Sequence, residues 1–208
     1  LEKLTNANVK ISESQFTSFE PIVGMMNYSG VQIQLIDNPS LKSDYFDIGL
    51  ANNADLLLIV VTKLEEINDI IDLIPKAHGK KVIIFNKIDL LNDKEKRKVK
   101  AILYSKKYNY VMISCRTMEG IEELKEKIFQ SFDIARIYLK EPGKNPSDKP
   151  LVMPLNSTID EVAKKISKEL AKNIKEVRIW GPSSKFPNQR VGLTHKVKDK
   201  DIIEFRTR

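Results

Sequence analysis

Along the first two thirds of the chain, short apolar runs alternate with stretches of helical period. Val31-Gln32-Ile33-Gln34-Leu35-Ile36 alternates apolar and polar positions and then turns fully apolar, as a strand with one partly exposed end would. Leu56 to Val61 and Val82-Ile83-Ile84-Phe85 are continuous β-branched and aromatic runs, the pattern of strands covered on both faces. Tyr110-Val111-Met112-Ile113 is a fourth strand candidate. Leu64 to Ile74, Lys94 to Tyr104 and Glu119 to Phe132 read as helices. In the last of these Ile121, Leu124, Ile128 and Phe132 recur at spacings of three and four, one face of a helix. Strands alternating with helices predict an α/β domain with a mostly parallel sheet.

The pattern changes near Asp133. The stretch Lys140 to Pro150 holds three prolines and a glycine and reads as an irregular loop between strand candidates Ala135 to Leu139 and Pro150 to Pro154. Thr158-Ile159-Asp160-Glu161 is a capping box, in which the threonine hydroxyl accepts the Glu161 N–H and the glutamate reaches back. Ile159, Val162, Ala163, Ile166 and Leu170 then predict the buried stripe of one helix, and Glu176 to Trp180 and Asp201 to Phe205 two more strands. Residues 134–208 thus predict a small α+β domain after an α/β domain over residues 1–133.

Composition narrows the class. The chain has 208 residues, 41% hydrophobic and 30% charged, enough to bury a core. Its longest apolar stretch, Ala54 to Val61, is interrupted by Asp55 and falls far short of the roughly 20 residues that span a bilayer, so no membrane partner is expected. The charged opening Leu1-Glu2-Lys3 leads into no apolar signal segment. The single cysteine, Cys115, excludes an internal disulfide and fits a reducing cytoplasm. The net charge of +7 is uneven: residues 134–208 carry 17 Lys and Arg against 9 Asp and Glu, whereas the preceding 133 carry 18 against 19. A basic module on a neutral one suggests a polyanionic partner, RNA or a membrane surface, or else only a well-solvated surface. The run Lys94 to Lys100 is read as the solvated face of a helix.

The candidate chemistry sits where strands end. Asn86-Lys87-Ile88-Asp89 directly follows the buried run Val82 to Phe85, at the carboxyl edge where open α/β sheets bind ligands. An aspartate there can accept two hydrogen bonds, from N1–H and the exocyclic amine of guanine, a pair that adenine lacks. Asn86 would tether neighbouring loops and the Lys87 stem would lie over the base. Ser114-Cys115 ends the last strand, where backbone amides would meet the guanine oxygen. Ile36-Asp37-Asn38-Pro39 ends an earlier strand, as the metal-proximal aspartate of a nucleoside triphosphatase does, and Thr17 lies in a stretch where a hydroxyl could complete magnesium coordination. His78 and His195 have no nucleophile paired with them in any motif and are assigned surface or packing roles; Trp180 is assigned to the core of the small domain.

These residues resemble the Obg superfamily of translational GTPases, and within it the developmentally regulated GTP-binding (DRG) proteins, especially archaeal ones. The matching stretches are Leu4-Thr5-Asn6-Ala7, Phe16-Thr17-Ser18, Pro21-Ile22-Val23-Gly24, Ile33 to Pro39, Asn86 to Asp89 and Ile113-Ser114-Cys115. The last third resembles that family's TGS domain, a ubiquitin-like β-grasp module, through Arg136-Ile137-Tyr138, Trp180-Gly181, Arg190-Val191-Gly192, His195 and Asp199 to Ile203. The resemblance implies GTP or GDP with Mg2+ as ligands, a P-loop-type GTPase fold, and a TGS domain acting with the ribosome, RNA or a partner protein. It assigns Asn86, Lys87, Asp89, Ser114 and Cys115 to guanine, Thr17 and Asp37 to the metal, and Ser40 to the γ-phosphate side.

The departures bear on hydrolysis. No Gly-x-x-x-x-Gly-Lys-Ser/Thr occurs in the sequence. The resemblance places that loop just before Leu1, which points to a truncated protein. Ser40 stands where the family has glycine, and the 46 residues between Pro39 and Asn86 are too few for the family's inserted domain. Phosphoryl transfer rests on positioning the β- and γ-phosphates, so slow or absent hydrolysis is expected. Two readings stay open: a guanine-nucleotide switch, and a pseudo-GTPase adaptor that binds RNA, ribosome or protein.

Overall fold

The computed structural model describes residues 1–5, 20–41 and 43–207. They form two compact units, one of residues 1–28 and 32–132, the other of residues 133–208 with 29–31.

In the first unit, β1 (Ile22–Tyr28) and β2 (Val31–Asp37) form a two-stranded hairpin. Both residues of its turn, Ser29 (φ 49°) and Gly30 (φ 82°), are left-handed, as a two-residue turn that follows the strand twist requires. After α1 (Ile48–Asn53) come β3 (Leu56–Val61), α2 (Glu66–Leu73), β4 (Lys80–Phe85), α3 (Asp93–Ser105), β5 (Tyr110–Met112) and α4 (Ile121–Gln130). Strands β3, β4 and β5 form a parallel sheet in that order. Ile59, Val61, Ile83 and Phe85 meet Ile67 of α2 and Leu103 of α3 on one face. Val82, Ile84 and Val111 alternate to the other, and α4, which contacts β5, buries Ile121, Leu124 and Ile128.

All of Val82 to Phe85 is buried, as the continuous apolar run predicts. Strand β3 departs from that expectation: Val60 is 55% exposed, so only the Ile59 and Val61 face is fully covered. The resulting unit is the expected α/β domain with a parallel sheet.

The second unit is built on a five-stranded sheet, ordered β7-β6-β10-β8-β9, from β6 (Ile134–Lys140), β7 (Leu151–Pro154), β8 (Ile174–Trp180), β9 (Gln189–Val191) and β10 (Asp201–Thr207). Central β10 is parallel to β6 and antiparallel to β8, the β-grasp arrangement. One face carries Ala135, Ile137, Met153, Val177, Ile179 and Ile203, packed on Ile159 and Val162 of α5 (Ile159–Ile166). The capping box forms as read: Thr158 Oγ1 accepts the Glu161 N–H at 3.3 Å, and Glu161 accepts the Thr158 N–H at 2.7 Å.

The single long helix does not form. Ser167 is extended (φ −164°, ψ 139°) and caps a separate α6 (Lys168–Asn173), its hydroxyl accepting the Glu169 and Leu170 N–H groups. A serine that can cap from an extended backbone competes with helix continuation, and here the cap wins. The stripe accordingly ends at Ala163, and Ile166 is 39% exposed. Trp180 is half-buried on the face opposite the core, not within it, because it alternates with the buried Val177 and Ile179.

Ile203→Ala should therefore destabilise the protein by about 2–5 kcal/mol, the usual cost of emptying a fully buried aliphatic site. The adjacent Ile202→Ala, on the other face, should cost much less. Urea unfolding of the two variants checks the order.

Candidate nucleotide site

The parallel register brings the carboxyl ends of β3, β4 and β5 level. Val61 pairs with Phe85, and Phe85 with Met112. The Asn86 N–H donates to the Val61 carbonyl and the Ile113 N–H to the Phe85 carbonyl, each at 2.8 Å, so pairing continues one residue past the strands. The segments 86–91 and 113–120 thus leave the sheet side by side.

Two side chains bind these segments together. Asn86 Oδ1 accepts the Lys87 N–H at 2.7 Å and the Cys115 N–H at 3.3 Å. Ser114, fully buried, donates its hydroxyl to Asp89 Oδ1 at 2.6 Å and accepts the N–H groups of Thr117 (3.1 Å) and Arg116 (3.3 Å). Lys87 is left-handed (φ 62°), which leaves its side chain exposed and turns Ile88 into the core at 3% exposure. Such a conformation costs a non-glycine residue roughly 1–2 kcal/mol, offset here by the bonds to Asn86 and by the burial of Ile88.

The 114–119 loop closes on itself through the Ser114 N–H to Glu119 carbonyl bond at 2.9 Å. Gly120 follows at φ 78°, and a Cβ there would lie 2.3 Å from the Met112 carbonyl oxygen, so only glycine fits. Lys96 of α3 reaches Glu119 at 3.3 Å. Cys115 is a free, half-buried thiol beside this network.

Asp89 has a side chain 11% exposed, with Oδ2 3.7 Å from Arg116 Nε. The Ser114 hydroxyl holds its carboxyl below the usual carboxylate range. Burial pushes the other way, while its own backbone N–H, Arg116 and Lys96 add to the lowering. Arg116 is 81% exposed, so water screens most of its pull. The result is an oriented, ionised acceptor, one oxygen fixed by a hydroxyl, beside a loop of backbone N–H groups. The carboxylate can accept N–H groups from a ligand, while the Cys115, Arg116 and Thr117 N–H groups are held by Asn86 and Ser114.

The other candidates follow β2. Asp37 ends the strand and is exposed. Asn38 clamps the next segment: its Nδ2 donates to the Asp47 carbonyl at 2.8 Å and its Oδ1 accepts the Asp47 N–H at 3.0 Å. Asp47 in turn caps α1 through the Leu50 N–H at 3.0 Å. Ser40 is exposed, its carbonyl accepting the Ser43 N–H at 2.8 Å. Thr17 lies outside the described residues. Among the described residues, no group of three or more His, Cys, Asp or Glu is placed to hold a metal, and no helix is long and apolar enough to cross a membrane. The His195 ring is 2.9 Å from Ser183 Oγ, a pin between two loops of the second unit.

Sequence reading missed the Asn38–Asp47 clamp, Arg116, the Lys96–Glu119 pair and Gly120. Only Gly120 carried a local signal, a glycine one position before an amphipathic helix.

Comparison with known proteins identifies the family. Residues 1–87 match the 50S ribosome-binding GTPase family, 47–134 the C-terminal region of that domain, and 135–207 the TGS domain. A GTP-binding protein of Methanocaldococcus jannaschii is 33% identical over 286 aligned positions, covering 98% of this chain and 73% of the relative. The chain belongs to the DRG/Obg family of GTP-binding proteins with a C-terminal TGS domain. Another relative, developmentally-regulated GTP-binding protein 2 of Homo sapiens, is 28% identical over 123 residues, 59% of this chain and 32% of that protein. The chain thus spans about three quarters of the archaeal relative and about a third of the human one. The crystal structure of Era in complex with MgGDPNP and a segment of 16S ribosomal RNA shares the fold, with a TM-score of 0.55 at 18% identity over 91% of this chain and 70% of that one.

Ser114→Ala removes the largest cause of the Asp89 shift and leaves burial acting upward. The carboxyl should then titrate at a higher pH than in the parent, which carbon NMR of the Asp89 side chain checks. A depressed pKa means that the Asp89 contribution to stability is present above the ordinary aspartate pKa and is lost as pH falls through the depressed one. In Ser114→Ala that loss should move to higher pH; an unshifted Asp89 would show that the hydroxyl does not set its charge.

Proposed function

We propose that this DRG/Obg chain is a guanine-nucleotide switch of the cytoplasm, in which residues 1–133 recognise GTP and GDP and the TGS domain, residues 134–208, docks on ribosomal RNA. The observation that carries the proposal is the network of Asn86, Asp89, Ser114 and Cys115. It binds two loops into one rigid edge and presents an ionised carboxylate beside backbone N–H donors. In this reading Asp89 accepts from N1–H and the exocyclic amine, the Cys115 and Arg116 N–H groups turn from their 3.3 Å bonds with Asn86 and Ser114 to the base oxygen, and the Lys87 stem covers the ring.

Preorganisation is what the network supplies. Ser114 and Asn86 fix the acceptor and the loop before the nucleotide arrives, so binding spends little on ordering them. Asp37 at the end of β2 and Thr17 would hold Mg2+, whose charge would screen the phosphates, with Ser40 on the γ-phosphate side. Residues 1–208 contain no glycine- and lysine-bearing phosphate loop, so the proposal assigns them base recognition and not phosphoryl transfer.

Titration calorimetry of this chain with GDP, GTP and ATP tests the reading. Guanine nucleotides should bind at least about a hundredfold more tightly than ATP, because a site built to bond polar edges strongly rejects a base that leaves them unpaired. Asp89→Asn should lose that preference and favour xanthine nucleotides, which carry a carbonyl where guanine carries its amine. No binding of GDP or GTP at millimolar concentration would overturn the switch and leave the adaptor reading.

A further inference from the structure

The face of the TGS sheet opposite α5 is organised in rows that strand register fixes. Ile202 of β10 pairs with Tyr138 of β6 on one side and Trp180 of β8 on the other, giving an aromatic–aliphatic–aromatic row across three strands. At about 4.8 Å per strand the two aromatic positions lie about 10 Å apart. Two residues along, Glu204 pairs with Lys140 and Arg178, and Arg178 with Arg190 of the edge strand β9. This second row holds three cations and one carboxylate, about 7 Å from the first.

A second carboxylate, Glu176, lies on the same face, opposite Arg206 and 2.7 Å from Arg178 Nε, so Lys140, Arg178, Arg190 and Arg206 together outnumber the two carboxylates by two. Glu204 is 2% exposed and bonded to both Lys140 and Arg206, the latter at 2.8 Å. Arg190 is exposed and forms no ion pair among the described residues. The Lys140 ammonium sits 4.9 Å from the Trp180 ring centroid, where the two rows meet. Tyr138 and Trp180 are half-buried.

We infer that this face is the surface on which the TGS domain holds single-stranded RNA, with unstacked bases on the Tyr138–Ile202–Trp180 row and phosphates on Lys140, Arg178, Arg190 and Arg206. The inference rests on the RNA-docking reading above and adds the face and the kind of RNA. Charge complementarity selects the occupant, since residues 134–208 carry an excess of eight positive charges. Aromatic groups on a flat sheet stack on bases of any sequence, whereas the closed stack of a duplex offers no base faces to them.

Trp180 is the chain's only tryptophan, so its fluorescence reports the row directly. The full chain is titrated with a 12-nucleotide oligouridylate and with a 12-base-pair RNA duplex. The single strand should quench Trp180 and bind more tightly than the duplex, with affinity falling steeply as salt rises. Arg190→Glu, at an exposed position that should not disturb folding, should weaken single-strand binding about tenfold or more at low salt. Lys168→Glu with Lys172→Glu, on α6, should change it much less. Binding without quenching, or binding lost through α6 and not Arg190, would overturn the face while leaving RNA docking intact. No binding of either RNA at low salt would overturn both and point to a protein partner.

Discussion

The candidate site depends on the close passage of two backbones at the far end of the parallel sheet. Gly79 precedes β4, and a Cβ there would lie 2.2 Å from the Ala54 carbonyl oxygen. Only glycine admits the approach that lets the Lys80 N–H reach the Asp55 carbonyl at 3.2 Å and start β4 level with β3. The strands are apolar on both faces, so hydrophobic pattern alone does not choose their register; a slip would trade one aliphatic contact for another. The glycine contact at one end and the Asn86 to Val61 bond at the other choose it. Because β5 follows β4 in the same register, the 86–91 and 113–120 loops emerge together, and Ser114 reaches Asp89 across 25 positions of sequence.

Much of this was legible in the sequence, and the missing parts share a cause. Val82 to Phe85 and the helix over Ile121 to Gln130 announce themselves by composition and period, because burial on two faces or one face dictates residue type. Strand β1 did not, since Ile22 to Tyr28 mixes apolar residues with Gly24 and Asn27 and its pairing comes from the hairpin turn. The break at Ser167 was hidden because a 3.6-residue apolar period runs through it, while the deciding event is a local hydroxyl cap. In the site, residue types at strand ends were readable, as each position follows an apolar run. The bonds that orient them were not: Asn86 to Cys115, Ser114 to Asp89 and Lys96 to Glu119 join positions whose nearness only the sheet creates.

The small sheet shows how one strand can serve two purposes. Along β10, Ile203 enters the core while Ile202 and Glu204 point away from it. Burying Glu204 to 2% exposure costs solvation, and a buried ion pair is weak support for stability in itself. What the pairs with Lys140 and Arg206 supply is position. The Lys140 hydrogen bond, opposed by burial and aided by Arg206, holds the Glu204 carboxyl below its usual range, so two cations stay fixed on the sheet surface.

The two units therefore meet different physical demands. In the first, charges nearly balance, and the proposed recognition would rest on an oriented carboxylate and backbone donors acting over hydrogen-bond distances. Such contacts discriminate between bases but attract nothing from afar. In the second, the excess of positive charge acts over about a Debye length, roughly 8 Å at physiological salt, and draws polyanions with little regard for sequence. Specificity there has to come from shape, and the proposed row of Tyr138, Ile202 and Trp180 would supply it by distinguishing splayed bases from stacked ones. The proposed division of labour follows from this: base identity would be read where charge is balanced, and polyanion shape where it is not.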